Sequence, residues 1–430
     1  MNNADSTEKT TEQIRKSLEV YQKGGVKNSI RNCVTVLQQD PQLQGAISLN
    51  LLSEQVNIIK PMWWKRSSDS LTDMDMNYLL LYLEEKYGLT SEKKVFSAIK
   101  IVANENRCHP IREYLDFLRW DGTYRIRYAL HRFLGADIDE YNYQALRLFM
   151  LGAIRRVFHP GCKFEIMLCL VGGQGAGKSS FFRLLAVKDD WFSDDLKKLD
   201  DENVYRKLQG HWIIEMSEMI ATANAKSIEE IKSFLSRQKE TYKVPYETHP
   251  ADRLRQCVFG GTTNRQDFLP RDRTGNRRFL PVTVYPERAE VHILENEHAS
   301  RAYIDQMWAE AMVIYRSGNY RLSFSDEMNR YLTEHQQDFM QEDTQAGMIY
   351  AFLEDFEGDR VCSKLLYEEA LGHTNPPADW ETRSICEIMN TGIANGSIKG
   401  WTAHKSPKRY GKYGSQKGWE RTDKTTANRG

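Results

Sequence analysis

Hydrophobic positions along this chain change their period near residue 164. Residues 1–12 are polar and read as a solvated tail; helical spacing begins at Ile14, with a break at Gly24-Gly25. Across 28–60 the apolar positions (Val34, Val36, Leu37, Leu43, Ile47, Leu51, Leu52) predict short helices. MNYLLLYLEEKYG at 76–88 predicts a helix ending on Gly88, and Ser91 is placed to N-cap the next. IREYLDFLRWDGTYRIRYALHRFLG predicts two more helices around an Asp121-Gly122 turn. From Phe164 onward, short apolar runs (EIMLCLVG, HWIIEM, RQCVFGGTTN, RRFLPVTV) alternate with helical ones (SSFFRLLA, SIEEIKSFLS). Strands alternating with helices predict an α/β layer with a mostly parallel sheet. Helices from Ala299 and Ser325 are expected to pack behind it, and a final unit starts near Thr344.

Composition changes this picture little. The 430 residues are 40% hydrophobic and 27% charged, with zero net charge, so any polyanionic partner must be met by local patches. The seven cysteines form no C-x-x-C pair, which argues for free thiols in a reducing compartment. No apolar run approaches the ~20 residues of a membrane span, and no apolar segment follows the polar N-terminus. A cytoplasmic protein without a membrane partner is expected.

The strongest chemical signal is Gly172-Gly173-Gln174-Gly175-Ala176-Gly177-Lys178-Ser179, followed by Ser180. It fits G-x-x-x-x-G-K-[ST], and it follows an apolar strand and opens an apolar helix, the context that gives the pattern meaning. Glycines let backbone N–H groups curl around phosphate oxygens, and the helix N-terminus adds partial positive charge. Lys178 is expected at the β/γ-phosphates of ATP and the Ser179 hydroxyl on Mg²⁺. A second signal is GHWIIEMSE, a buried strand ending on Glu215 with Glu218 just beyond. One carboxylate there can hold Mg²⁺ and the other polarise water, and the spacing leaves the two roles open. A third strand finishes on Thr262-Thr263-Asn264, where an amide can orient water against a γ-phosphate. Arg277 and Arg278 follow a Thr274-Gly275-Asn276 turn, as arginines suited to reach a γ-phosphate across a subunit boundary. Either could be the finger; Arg271 and Arg273 suit solvent or DNA.

These blocks resemble the virulence-associated protein E family of phages, plasmids and genomic islands, itself similar to superfamily 3 helicases. The match is carried by HPIREYLDFLRWDGTYRI, VGGQGAGKSSFFRLLA, HWIIEMSEM, IKSFLSRQKETYKVPYE and FGGTTNRQDFLPRDRTGNRRFLPV, in the family's order. The resemblance implies an AAA-like P-loop ATPase that assembles into a ring, with a hexamer favoured, and acts on DNA during replication of a mobile element. It also implies a strand-end polar residue at Asn264 and trans-acting arginines at Arg277 and Arg278. Many relatives carry a primase module, but the residues before the core show no primase carboxylate motif. Many relatives have Arg where this chain has Lys243 before Val244-Pro245-Tyr246; Lys keeps the charge and loses bidentate geometry.

In ring helicases of this kind the stretch from Ser236 to Arg255 faces the pore. Arg237, Lys239 and Lys243 are then expected on the backbone of a threaded single strand, with Tyr242 or Tyr246 stacking a base. Near the C-terminus, RVCSKLLYEEALG and DWETRSICEIMNTGI predict two amphipathic helices. A strand, a basic loop and a returning strand follow, the order of a winged helix. Lys405, Lys408, Arg409, Lys412 and Lys417 lie in that loop or beside it, interleaved with Tyr410, Tyr413 and Trp419, as expected of a wing on duplex DNA. The expected architecture is thus a helical N-terminal domain (1–125), an α/β P-loop, AAA-like ATPase core (126–340) and a winged-helix-like DNA-binding domain (341–430). A helicase or translocase is the leading function. A helicase loader or origin-binding switch, or a regulatory or defence NTPase, stands as the alternative.

Overall fold

The computed structural model describes residues 11–196, 199, 204–217, 225–242, 251–269, 276–340, 344–394 and 396–422. The chain forms two compact units, 1–340 and 341–430.

The first unit begins with α1 (Ile30–Gln39), β1 (Ile47–Asn50), β2 (Gln55–Ile58), α2 (Asp73–Tyr87), α3 (Glu92–Glu105) and β3 (Arg107–Cys108). This differs from the all-helical expectation. Ile47 and Leu49 alternate against Val56 and Ile58, and the two segments pair antiparallel, Ile47 opposite Ile58, with β3 parallel on the other side of β1. The turn between them holds Glu54 at φ +55°. Elsewhere the helical signals are realised as cap chemistry. Thr72 and Asp75 form a reciprocal capping box on α2, whose end is Gly88 at φ +70°. Asp75 is also held by Arg66 and the Trp64 indole N–H.

Next come α4 (Pro110–Phe117), α5 (Ile126–Leu134), α6 (Glu140–Phe158), β4 (Met167–Val171), α7 (Lys178–Leu185), β5 (Phe192–Ser193), α8 (Val204–Leu208), β6 (Ile213–Met216), α9 (Ala225–Leu235), β7 (Lys239–Tyr242), β8 (Ala251–Leu254), β9 (Val258–Thr263), β10 (Phe279–Thr283), α10 (Glu297–Ser317) and α11 (Asp326–His335). Five strands form one parallel sheet in the order β10-β4-β9-β6-β5. Its central strands are buried along their whole length, as a sheet covered on both faces requires. Alternation sorts the side chains. Leu168 and Leu170 join Ile111, Leu115, Phe149, Phe182 and Trp308 on one face, while Met167, Cys169 and Val171 join Ile231, Phe234 and Phe259 on the other. At Gly260 strand and helix approach closely: a Cβ there would stand 2.5 Å from the Phe182 ring.

The second unit contains α12 (Thr344–Asp355), β11 (Arg360–Cys362), α13 (Ser363–Leu365, continued as a π turn over Leu366–Ala370), α14 (Asp379–Ala394), β12 (Trp401–Ala403), β13 (Lys408–Arg409), β14 (Ser415–Gln416) and β15 (Gly418–Arg421). The helix expected from Arg360 starts later, because Arg360–Cys362 pairs antiparallel with Gly418–Glu420 and closes a sheet of order β11-β15-β12. The basic loop is itself a small hairpin, Lys408 opposite Gln416. Among the described residues, no helix is long and apolar enough to cross a membrane.

Candidate functional site

The loop Gly172–Gly177 leaves the C-terminal end of β4 and enters α7. Gly175 and Gly177 adopt φ +80° and +76°, a region that a side chain strains, and Gly177 is the N-cap of α7. The Lys178 ammonium donates to the carbonyls of Gly172 and Gly173, both at 2.7 Å, and to Asn264 Oδ1 at 3.0 Å. Burial pushes its pKa down, partly countered by Glu215.

Asn264 stands at the tip of β9, between the strand of the loop and the strand of Glu215. Ser179 Oγ donates to Glu215 Oε1 at 2.7 Å, and the Thr262 hydroxyl donates to the same oxygen. Glu215 is 1% exposed, and burial pushes its pKa up despite those two donors, with Asp194 adding to the rise. Its Oε2 is buried without a hydrogen-bond partner among the described residues. A buried, unpartnered carboxylate oxygen beside a serine hydroxyl is the donor set expected of a hard divalent cation such as Mg²⁺, whose charge would relieve the burial cost. Gln174, Ala176, Ser180, Ser217, His292 and Leu294 complete a cleft of about 440 Å³ over the loop.

Lys178, Ser179, Glu215 and Asn264 therefore converge. Arg277 and Arg278 do not join them. They precede β10, which pairs parallel with β4 from Phe279 opposite Met167 to Thr283 opposite Val171. At about 3.3 Å per residue, roughly 15 Å of sheet separates them from their own chain's loop. There Arg278 meets Glu165 at 3.1 Å and Ser236, while Arg277 lies 3.8 Å from Glu165. Burial opposes ionisation of Glu165, but the Ser236 hydroxyl and Arg278 more than offset it and hold its pKa down. Glu218, Lys243, Tyr246, Arg271 and Arg273 lie outside the described residues.

The expected pore segment is an antiparallel hairpin, β7 with β8. Lys239 pairs with Asp252, and Arg237 contacts Glu240 and the Tyr205 hydroxyl. The hairpin root is pinned by Arg255, 3% exposed, which pairs with Glu240 and donates to the Phe234 carbonyl. In the second unit Lys408 pairs with Glu420 and Lys412 with Glu368, so part of the basic charge is neutralised by a carboxylate 44 positions away in sequence. Lys405, Arg409 and Lys417 are exposed with no ion pair among the described residues.

Sequence reading gave no site role to Thr262, Glu165 or Ser236. Thr262 had a signal: it lies two residues before Asn264, in the last two residues of β9. Glu165 and Ser236 had none, because Glu165 meets the arginines only through the register of β10 on β4, and Ser236 only because the end of α9 lies beside Arg278.

The virulence-associated protein E-like domain matches residues 115–341. The chain belongs to the virulence-associated protein E-like family. The matched span contains the phosphate-loop motif, Glu215, Asn264 and both arginines, and so encloses the whole converged site. Similar solved structures include three apo structures of the NrS-1 C-terminal region, at 12%, 13% and 12% identity, with TM-scores of 0.45, 0.46 and 0.48. Each alignment covers 87% of this chain and 95–96% of the other. No curated protein matches the chain.

Proposed function

We propose that this virulence-associated protein E-like chain is a cytoplasmic, Mg²⁺-dependent ATPase with an AAA-like core that drives a DNA helicase or translocase in the replication of a mobile genetic element. The observation that carries the reading is the convergence of Lys178, Ser179, Glu215 and Asn264 at the C-terminal ends of the three inner strands of the parallel sheet. Lys178 would exchange its carbonyl acceptors for the β/γ-phosphate oxygens, and backbone N–H groups from Gly173 to Ser179 would cradle the phosphates. Ser179 and Glu215 would hold Mg²⁺, which neutralises charge developing on the phosphates. Asn264, already bonded to Lys178, would orient the attacking water, and Glu218 is the second candidate carboxylate for activating it.

The arginines support a ring. Across the sheet from their own loop, Arg277 and Arg278 suit a neighbouring subunit's γ-phosphate, and a closed assembly, with a hexamer favoured, gives every loop such a neighbour. The β7–β8 hairpin, with Arg237, Lys239 and Lys243, would track single-stranded DNA in the pore. The second unit, read as a winged helix with Lys405, Lys408, Arg409, Lys412 and Lys417 on its wing, would meet duplex DNA.

The test is strand displacement by the purified chain on a forked duplex, with ATP turnover measured with and without single-stranded DNA. Turnover stimulated by DNA together with ATP-dependent displacement is expected. Stimulated turnover without displacement would favour a helicase loader, and turnover indifferent to DNA a regulatory NTPase.

A further inference from the structure

The two arginines before β10 are not equivalent. The Arg278 side chain is 18% exposed and held twice: its guanidinium lies 3.1 Å from Glu165 Oε2, and its Nε donates to Ser236 Oγ at 3.2 Å. Ser236 Oγ in turn lies 2.8 Å from the same Glu165 oxygen, closing a triangle in which the hydroxyl accepts from Arg278 and donates to Glu165. Arg277 is 68% exposed, and its one described contact is a 3.8 Å approach to Glu165. An arginine fixed by a half-buried carboxylate and a hydroxyl keeps its guanidinium at home. A neighbour exposed to that extent can present its fork elsewhere.

The clamp sits at a particular place in the chain. Ser236 follows the last residue of α9, and β7 begins at Lys239. The same short stretch is joined to the segment before β4 by Arg156, 1% exposed, which donates to the Arg237 carbonyl at 3.5 Å and to the Phe164 carbonyl at 2.7 Å, next to Glu165. Arg255 holds the Phe234 carbonyl at 2.6 Å and pairs with Glu240 of β7. One bonded network therefore contains Arg278, Glu165, the end of α9 and the root of the hairpin.

We propose that Arg277 is the arginine that reaches the neighbouring subunit's γ-phosphate, and that Arg278, clamped by Glu165 and Ser236, is a positioning residue tying it to the root of the β7–β8 hairpin. This rests on the ring reading above and deepens it. A γ-phosphate that draws Arg277 across the interface pulls on residue 278, and through Ser236 on the segment leading into β7. Strand binding at the hairpin acts on the finger by the same route, as reciprocal coupling demands.

The experiment uses the full chain and four variants: Arg277→Ala, Arg278→Ala, Glu165→Gln and Ser236→Ala. ATP turnover is measured with and without oligo-dT, alone and mixed with Lys178→Ala subunits. Arg277→Ala should lose on the order of 10³ in kcat with KM little changed, and should regain part of it on mixing, because Lys178→Ala subunits still carry intact arginines. Arg278→Ala, Glu165→Gln and Ser236→Ala should lower kcat by about tenfold and lose the stimulation by oligo-dT, an effect that simple destabilisation would not single out. Melting temperatures near wild type confirm folding, and Ser236→Ala, the smallest change, tests the clamp if Glu165→Gln folds poorly. If Arg278→Ala is the dead, complementable variant and Arg277→Ala stays active, the assignment is overturned while the ring stands. Full oligo-dT stimulation in both clamp variants, Glu165→Gln and Ser236→Ala, would overturn the coupling. Failure of both arginine variants to recover on mixing would instead remove the ring reading itself.

Discussion

Ser179 Oγ donates to Glu215 Oε1 at 2.7 Å across the strand that carries Thr262 and Asn264, and Glu215 Oε2 faces no donor among the described residues. A carboxylate buried in this way is held at a cost, because burial disfavours its charge and one of its oxygens has no compensating bond. Such strain is commonly stored where a protein works.

The first prediction concerns that cost. Glu215→Gln keeps the acceptor for Ser179 and Thr262 and removes the charge. The nucleotide-free protein should gain stability, by about 1 kcal/mol, while Mg²⁺-dependent ATP turnover falls by roughly 10² or more. Denaturant midpoints and turnover at several Mg²⁺ concentrations read both effects. A destabilised variant with normal turnover would make Glu215 a structural carboxylate.

His109 provides a pH prediction. It is the N-cap of α4: its Nδ1 accepts from the Arg112 N–H, which leaves Nε2 to donate to Gln256 Oε1 at 2.8 Å. Burial pushes its pKa down to about 4, with the Gln256 contact opposing the shift. The folded value is thus below the unfolded value of about 6.5, so the unfolded chain takes up the proton first. Stability from this group is complete above about pH 6.5 and is lost as pH falls toward 4, amounting to about 2 kcal/mol by pH 5. His109→Asn retains a capping side chain without that titration. The stability advantage of wild type over the variant should therefore shrink between pH 7.5 and pH 5, and a constant difference would contradict the assignment.

On the second unit, the ion pairs separate five basic residues into two groups. Lys408 and Lys412 are engaged by Glu420 and Glu368, whereas Lys405, Arg409 and Lys417 are exposed with no ion pair among the described residues. Replacing the latter three with Ala should weaken duplex binding and flatten the slope of log K against log salt by about 3, at near 0.9 for each phosphate that is no longer neutralised. Replacing Lys408 and Lys412 should change the slope by less. Equal effects of the two sets would mean that the intramolecular pairs open on DNA, and no effect of either would overturn the proposed duplex contact at residues 405–417.

Much of the site was legible because its signals are local. Lys178 and Ser179 are placed by a strand, a loop and a helix in direct succession, and Glu215 and Asn264 by the ends of apolar runs. What lay hidden depends on register. Nothing near Arg278 in sequence announces Glu165, which meets it only once β10 lies parallel on β4, or Ser236, which the end of α9 brings beside it. The strands Ile47–Asn50 and Gln55–Ile58 escaped for a different reason. Each offers only four residues of alternation, and Leu51-Leu52 between them completes a plausible helical spacing. Arg360–Cys362 becomes a strand because a partner from residues 418–420 lies beside it, a pairing invisible within the segment itself.

The central claim is that Gly172–Ser179 is a working ATP site, and the most direct measurement is Mg²⁺-ATP turnover by wild type and by Lys178→Ala at saturating nucleotide. Lys178 is 8% exposed and bonded to Gly172, Gly173 and Asn264, so its loss removes the fixed cation of the loop and the link to the strand tip together. The account predicts measurable hydrolysis by wild type and its abolition in Lys178→Ala, with the fold retained by circular dichroism. Near-normal turnover in the variant, or none in the wild type with Mg²⁺ and DNA present, would contradict it.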